Sequence, residues 1–183
     1  MSILFVNACV RENSRTLILA KHILSGMSGE IEEVDLNRET IAPLNRELLE
    51  KREGLTCNES KEDPMLRYAG QFANADEIVI AAPYWDLSFP AILKAYLEQI
   101  TVAGITFEYA NERPRGLCKA KRLTYVTTSG GPILDDFGYE YVKALAQKFY
   151  GIPQTKAYRA MNLDVNRIAA EDVLTKAEIS VIE

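Results

Sequence analysis

The 183-residue sequence has one histidine and three cysteines, and these scarcities exclude a good deal. His22 lies in a helical pattern with no second histidine or cysteine at ligand spacing, so no metal site is expected. Cys9, Cys57 and Cys118 are far apart, odd in number and lack a CxxC pair, which is not a disulfide framework. Nothing approaches the ~18 consecutive apolar residues that a membrane span needs. The opening MSILFVNACVRENS carries only a short apolar stretch, with no basic start and no cleavage-like site, so it reads as a first strand. Together with free thiols, this gives the expectation of a cytoplasmic protein. Neither G-x-G-x-x-G nor GxxxxGK[ST] occurs, which disfavours a dinucleotide pyrophosphate held against the backbone and a nucleoside triphosphate. The formal charge is −5, from 21 basic and 26 acidic residues. Nucleic acid and anionic membrane are therefore not expected partners, because both require a net basic face; a local basic pocket for a phosphate is compatible with that charge.

What is present is ordinary for a globular chain: 48% hydrophobic and 26% charged residues argue against disorder, and the length fits a single domain over 1–183. Strand-like and helix-like stretches alternate. SILFVN is a charge-free run typical of a strand buried on both faces. Ser14 reads as the N-cap of a helix striped by Leu17, Ala20, Ile23 and Leu24, with Gly26 and Gly29 as stop signals. IEEVDL is a second strand. Residues 37–64 are a long polar insertion, with a short helix around 46–52, and are a candidate binding or dimer segment. A helix over 65–73 precedes the third strand at 77–82, and Pro90 opens another helix. A short strand or hairpin is expected around 105–109, then a fourth strand and glycine turn in KRLTYVTTSGG, a helix in DFGYEYVKALAQKFYG, a fifth strand in QTKAYRAM and a last helix over 167–183. This order predicts an α/β doubly wound, five-stranded parallel sheet with helices on both faces.

In such sheets ligands bind beyond the carboxyl ends of the strands. Three loops there carry chemistry. NACVRENSRT offers the Ser14 and Thr16 hydroxyls and the Arg11 and Arg15 charges at a helix N-terminus, a set that suits one terminal phosphate. The plainer alternative is a capping serine with solvated arginines. PYWDLSFP places Tyr84 and Trp85 on a tight loop, either to cover the sheet end or to lie against a flat ring. TTSGGP is either a plain turn or a backbone that a ring edge approaches closely, since two glycines leave room.

The order of elements, AAPYWDLSFPAILKAYLEQI, ITFEYANERPRGL and TTSGGP together resemble the flavodoxin-like FMN-dependent NADH:quinone reductase and azoreductase family over nearly the whole chain. The resemblance implies FMN as cofactor and NADH or NADPH as co-substrate, with Ser14, Arg15 and Thr16 holding the phosphate. It also implies that Tyr84, Trp85, Asp86 and Leu87 lie along the isoalloxazine and that Thr128, Ser129, Gly130 and Gly131 meet its pyrimidine side. Phe107 and Tyr109 are candidates for the wall of the acceptor pocket, with core or dimer packing as the alternative.

The sequence departs from the family pattern at Ala8-Cys9, where a serine is common and Arg11 is the substitute donor. It departs again at Asp86, where asparagine is common, and at Ser129, where arginine is common. A carboxylate near the flavin disfavours an anionic reduced form. The implied activity is two-electron transfer from NAD(P)H through FMN to a quinone or azo acceptor in ping-pong order by a homodimer. No protein nucleophile is needed, since the flavin carries the chemistry. A flavodoxin-type electron carrier without small-molecule turnover is the other reading.

Overall fold

In the computed structural model, which describes residues 1–57 and 63–183, the apolar runs become strands and the striped segments helices. In chain order these are β1 (Ser2–Asn7), α1 (Arg15–Ser25), β2 (Glu30–Asp35), α2 (Arg46–Cys57), α3 (Arg67–Asn74), β3 (Glu77–Ala81) and α4 (Ala91–Ile100). There follow a hairpin of β4 (Phe107–Ala110) and β5 (Arg113–Gly116), then β6 (Arg122–Thr128), α5 (Tyr139–Leu145), β7 (Gln154–Ala160), α6 (Val173–Lys176) and β8 (Ile179–Ile182). The main sheet runs β2-β1-β3-β6-β7-β8, parallel except at the β7–β8 pair. Among the described residues no helix is long and apolar enough to cross a membrane.

Alternation along each strand divides the core in two. Leu4, Val6, Ile78, Ile80, Leu123 and Tyr125 pack with Phe72, Leu93, Tyr96 and Val142 of α3, α4 and α5. Ile3, Phe5, Val79, Ala81 and Val126 face the other way, onto Leu19, Ala20 and Leu24 of α1. Strands buried on both faces have no polar face to show, which is why they read as continuous apolar runs.

The last helix expected over 167–183 is largely absent. A 3-10 turn (Ala170–Asp172) and four-residue α6 lead into β8, which pairs antiparallel with β7 and makes the sheet six-stranded, not five-stranded. ISVI alternates: Ile182 packs against the core under α5, while Ile179 and Val181 face the α1 side. That period of two fits the free hydrogen-bonding edge of β7 and not a helix. Within the 37–64 insertion, the short helix expected over 46–52 runs on to Cys57 as α2, while 58–62 lie outside the described residues.

The β4–β5 hairpin turns on Asn111 and Glu112, both at positive φ (52° and 62°). It sits at the amino end of the sheet. Just beyond it, the Cys118 N–H donates to the Tyr150 carbonyl (3.2 Å) and the Lys119 N–H to the Ala73 carbonyl (2.8 Å), residues that precede β7 and β3. A Cβ on Gly116 would lie 2.0 Å from the Gly151 nitrogen, so only glycine permits this contact.

Candidate functional site

Beyond the carboxyl ends of β1, β3 and β6 the chain forms a bowl of about 200 Å³, lined by Arg11, Ser14, Arg15, Thr16, Tyr84, Trp85, Thr128 and Gly130. Among the described residues, larger cavities lie at the amino ends of the strands and beside the segment after β2, whereas this one is ringed by the loops after β1, β3 and β6.

Its floor is the start of α1. Ser14 is the N-cap, its hydroxyl oxygen accepting from the Leu17 N–H at 3.3 Å, and its side chain also meets the Cys9 thiol. The first-turn N–H groups of Arg15 and Thr16 have no acceptor within the helix, and no acidic side chain occupies that turn. The Thr16 and Thr128 hydroxyls are 2.7 Å apart and buried, which ties α1 to the end of β6. Arg11 is exposed. The Arg15 guanidinium pairs with Asp164 at 2.7 Å and donates to the Ile168 carbonyl at 3.2 Å. This donor set, several N–H groups and hydroxyls around one small hollow, fits a monoester phosphate.

The loop after β3 forms one wall. The Tyr84 N–H donates to the Thr128 carbonyl (3.0 Å) and its hydroxyl to the Asp135 carbonyl (2.9 Å). Trp85 and Ser88 exchange backbone hydrogen bonds of 3.1 and 2.8 Å, closing a two-residue turn on Asp86 (φ 51°) and Leu87 (φ 65°). Both central residues have positive φ, as a type I′ turn requires, a conformation costly for leucine. Half-buried Trp85 is thereby turned to the bowl.

The loop after β6 forms the opposite rim. The Ser129 hydroxyl folds back onto the Gly131 carbonyl (2.5 Å), and the Asp164 N–H donates to the Gly130 carbonyl (2.9 Å). A Cβ on Gly131 would meet no atom within 4 Å, so that backbone is open to a ring edge. Behind this rim Asp136 accepts from the Gly138 and Tyr139 N–H groups (3.0 and 2.7 Å) and faces the Arg159 guanidinium; the two side chains are 9% and 12% exposed.

Of the residues expected from sequence, Arg11, Ser14, Arg15, Thr16, Tyr84, Trp85, Thr128 and Gly130 meet at the bowl. Asp86 and Leu87 stand at the exposed tip of their turn, and Ser129 and Gly131 contribute backbone at the rim. Phe107 and Tyr109 lie on the hairpin at the other end of the sheet. Phe107 is buried, with ring centroids 5.4 Å from Tyr109 and 5.2 Å from Phe149, while Tyr109 is 67% exposed. Asp164 also lines the bowl, a residue that no local sequence pattern marks. It follows β7 at the same carboxyl edge, so extending the topological rule by one strand reaches it. Cys9, beneath the first loop, is buried, with its thiol pushed up to about 11, mainly by desolvation.

Comparison with known proteins extends these observations. A family profile described as flavodoxin-like fold matches residues 1–181. An FMN-dependent NADH:quinone oxidoreductase of Coprothermobacter proteolyticus is 37% identical over 184 residues, spanning 93% of this chain and 90% of that protein. One from Clostridium perfringens is 42% identical over 147 residues, spanning 78% and 73%. Among solved structures, an azoreductase from Bacillus anthracis superposes with a TM-score of 0.76 at 23% identity, covering 96% of this chain and 93% of that one. An FMN-dependent NADH-azoreductase from B. anthracis, in complex with FMN, gives 0.76 at 22%, covering 95% and 92%. At such identities the superpositions speak to the fold.

Proposed function

The chain belongs to the flavodoxin-like fold family, and from that premise we propose that it is an FMN-dependent oxidoreductase carrying two electrons from NAD(P)H to a quinone or azo acceptor. The observation that carries this reading is the convergence of the Ser14–Thr16 donors, the Tyr84-Trp85 wall and the Thr128–Gly131 rim on one bowl. The similarity to quinone oxidoreductases over most of their length favours turnover of a small acceptor over a carrier role.

FMN bound in the bowl supplies the hydride chemistry. Its phosphate is assigned to the Ser14 hydroxyl, the Arg15 and Thr16 N–H groups and the Arg11 and Arg15 guanidiniums. The Thr16–Thr128 bond holds that floor against the sheet. Tyr84, fastened at both its N–H and its hydroxyl, holds the loop on which Trp85 walls off water from one side. The exposed Asp86 carboxylate is assigned a place near the ring, where it opposes build-up of negative charge. The open backbone at Gly131 leaves room for the pyrimidine edge. With FMN in place, NAD(P)H and the acceptor would reach it in turn from the side that Trp85 leaves open, the ping-pong order.

The active form is taken to be a homodimer in the cytoplasm. Leu134 (75% exposed), Phe137 (60%) and Tyr109 give apolar material for a contact. Tyr109, at the amino end of its own sheet, can wall an acceptor site only when a second copy presents it; Phe107 supports that ring from beneath. The free thiols Cys9 and Cys118 suit a reducing compartment.

An absorption spectrum of the purified protein before and after NADH is the first test. A flavin spectrum bleached by NADH and restored by benzoquinone supports the reading, and protein that takes up no FMN refutes it. Sedimentation of a flavin-loaded monomer at micromolar concentration would refute the dimer alone.

A further inference from the structure

A cavity unused by this function lies toward the other end of the sheet, on the α1 face. Between the C-terminal half of α1 and β8 a groove of about 630 Å³ opens over the amino-terminal halves of β3, β6 and β7. It exists because the segment after β7 covers only the upper part of this face. Val173 and Ile168 pack there, while on β8 Ile179 (36% exposed) and Val181 (53%) stay open to solvent.

Register fixes the floor. Glu77 pairs with Arg122 and Thr124 with Lys156, and all four side chains project to the α1 face, in phase with Val79, Val126 and Tyr158. Arg122 neutralises Glu77 at 3.1 Å. Lys156 has no acidic partner among the described residues; its ammonium contacts only the Tyr158 hydroxyl (3.1 Å) and ring (5.0 Å from the centroid). Thr124, 1% exposed, borders the groove beside it. Two neighbouring donors, one of them an uncompensated cation, thus stand at the base of a groove whose sides are Leu19, Ile23, Met27 and Ile179. A cation without a counter-charge attracts one, and a neighbouring hydroxyl can share the anion.

We propose that this groove is a second ligand site, for an amphipathic monocarboxylate: the carboxylate on Lys156 and Thr124, the alkyl or aryl body along α1 and Ile179. The volume falls in the small-molecule range of about 300–1,000 Å³, and apolar walls with a few convergent polar groups are what such a ligand needs. Its polar base at Thr124 and Lys156 lies toward the amino ends of the strands, and the groove shares no lining residue with the bowl, so its occupancy is independent of FMN.

The test uses the FMN-loaded protein and decanoate below its micellar concentration, followed by calorimetry and amide chemical shifts. Saturable binding of one decanoate with shifts at Thr124, Lys156 and Ile179 is expected, with decanol about tenfold weaker for want of a charge. Lys156→Gln should weaken decanoate about tenfold or more while leaving FMN content and NADH:quinone turnover unchanged. Ile179→Glu, which sets a like charge at the groove mouth, should abolish binding. No saturable binding, equal affinity of decanol, indifference to Lys156→Gln, or shifts confined to the bowl would each overturn the proposal. So would conversion of an oligomer to monomer by Ile179→Glu, which would give the groove to a second copy of the chain.

Discussion

The Arg15 guanidinium and the Asp164 carboxylate lie 2.7 Å apart, joining the first turn of α1 to the loop after β7 across the rim of the bowl. The phosphate assigned to Arg15 must therefore compete with a carboxylate already in place. Arg15→Ala is expected to weaken FMN binding by about 1–3 kcal/mol, the range for a charge-assisted hydrogen bond. Asp164→Ala is expected to tighten it by less than about 1 kcal/mol, because Asp164 is 71% exposed and solvent already screens the pair. Titration by quenching of free flavin fluorescence measures both; weaker binding in the Asp164 variant would show that the pair organises the site.

The turn at Asp86 and Leu87 makes the opposite prediction for stability. Leucine at φ 65° carries strain of about 1–2 kcal/mol that glycine does not, while glycine costs about 0.5–1 kcal/mol in backbone entropy. The balance favours Leu87→Gly by about 0.5–1 kcal/mol, a rise in melting temperature of about 1–4 °C. A drop on calorimetric scanning would mean that the leucine side chain makes a contact worth more than its strain.

Trp85 tests the shared-face mechanism. Trp85→Ala should lower FMN affinity by about 0.5–1.5 kcal/mol beyond the buried area lost, or speed reoxidation of the reduced enzyme by oxygen. In the unaltered enzyme, initial-rate plots of NADH against quinone should give parallel lines. Intersecting lines, with no flavin bleaching by NADH alone, would exclude a site used in turn.

Asp136 and Arg159 are nearly buried, so removing one partner strands the other. Arg159→Ala is expected to destabilise the fold by about 3–5 kcal/mol, read from the urea midpoint. The double substitution Asp136→Asn with Arg159→Met should cost less, since neither charge is then left alone. A double variant no more stable than the single one would assign the loss to packing and not to the stranded carboxylate.

The thiols respond to pH in a direction set by burial. Desolvation raises Cys9 to about 11 and Cys118 to about 12, so the folded state favours the neutral thiol. This contribution to stability is complete below the ordinary thiol pKa of about 8.5 and is lost as pH rises through that value toward 11 and 12. Iodoacetamide at pH 8 should leave the Cys9 and Cys118 peptides unlabelled in native protein and label them after denaturation. Rapid native labelling of Cys9 would show that the loop above it opens.

How far the sequence can be read follows from which interactions are local. The central strands β1 and β3 are legible because burial on both faces writes itself as the unbroken apolar runs SILFVN and EIVIA. The loops of the bowl are legible because chain order assigns them to strand ends. The C-terminal segment misleads because AAEDVLTKAE has helix-forming residues, whereas β8 exists only through the edge of β7. The Arg15–Asp164 and Asp136–Arg159 pairs are invisible for a similar reason: charged residues far apart in sequence carry no mark of their partner. The hairpin is partly foreshadowed at 105–109, but its place at the amino end depends on contacts with Ala73 and Tyr150 that no local pattern encodes.

The sheet has two open edges, and they differ in how they resist joining another sheet. β8 is only four residues long and offers a short template. β2 is longer, EIEEVD, with Glu30, Glu32 and Glu33 exposed along it. Three carboxylates on one outer strand repel the same strand of another molecule, and unpaired backbone donors and acceptors are thereby kept from templating fibrils. The acidic excess of the chain is thus concentrated partly where self-association would begin. Neutralising those glutamates would leave the fold intact and make the protein harder to keep dispersed.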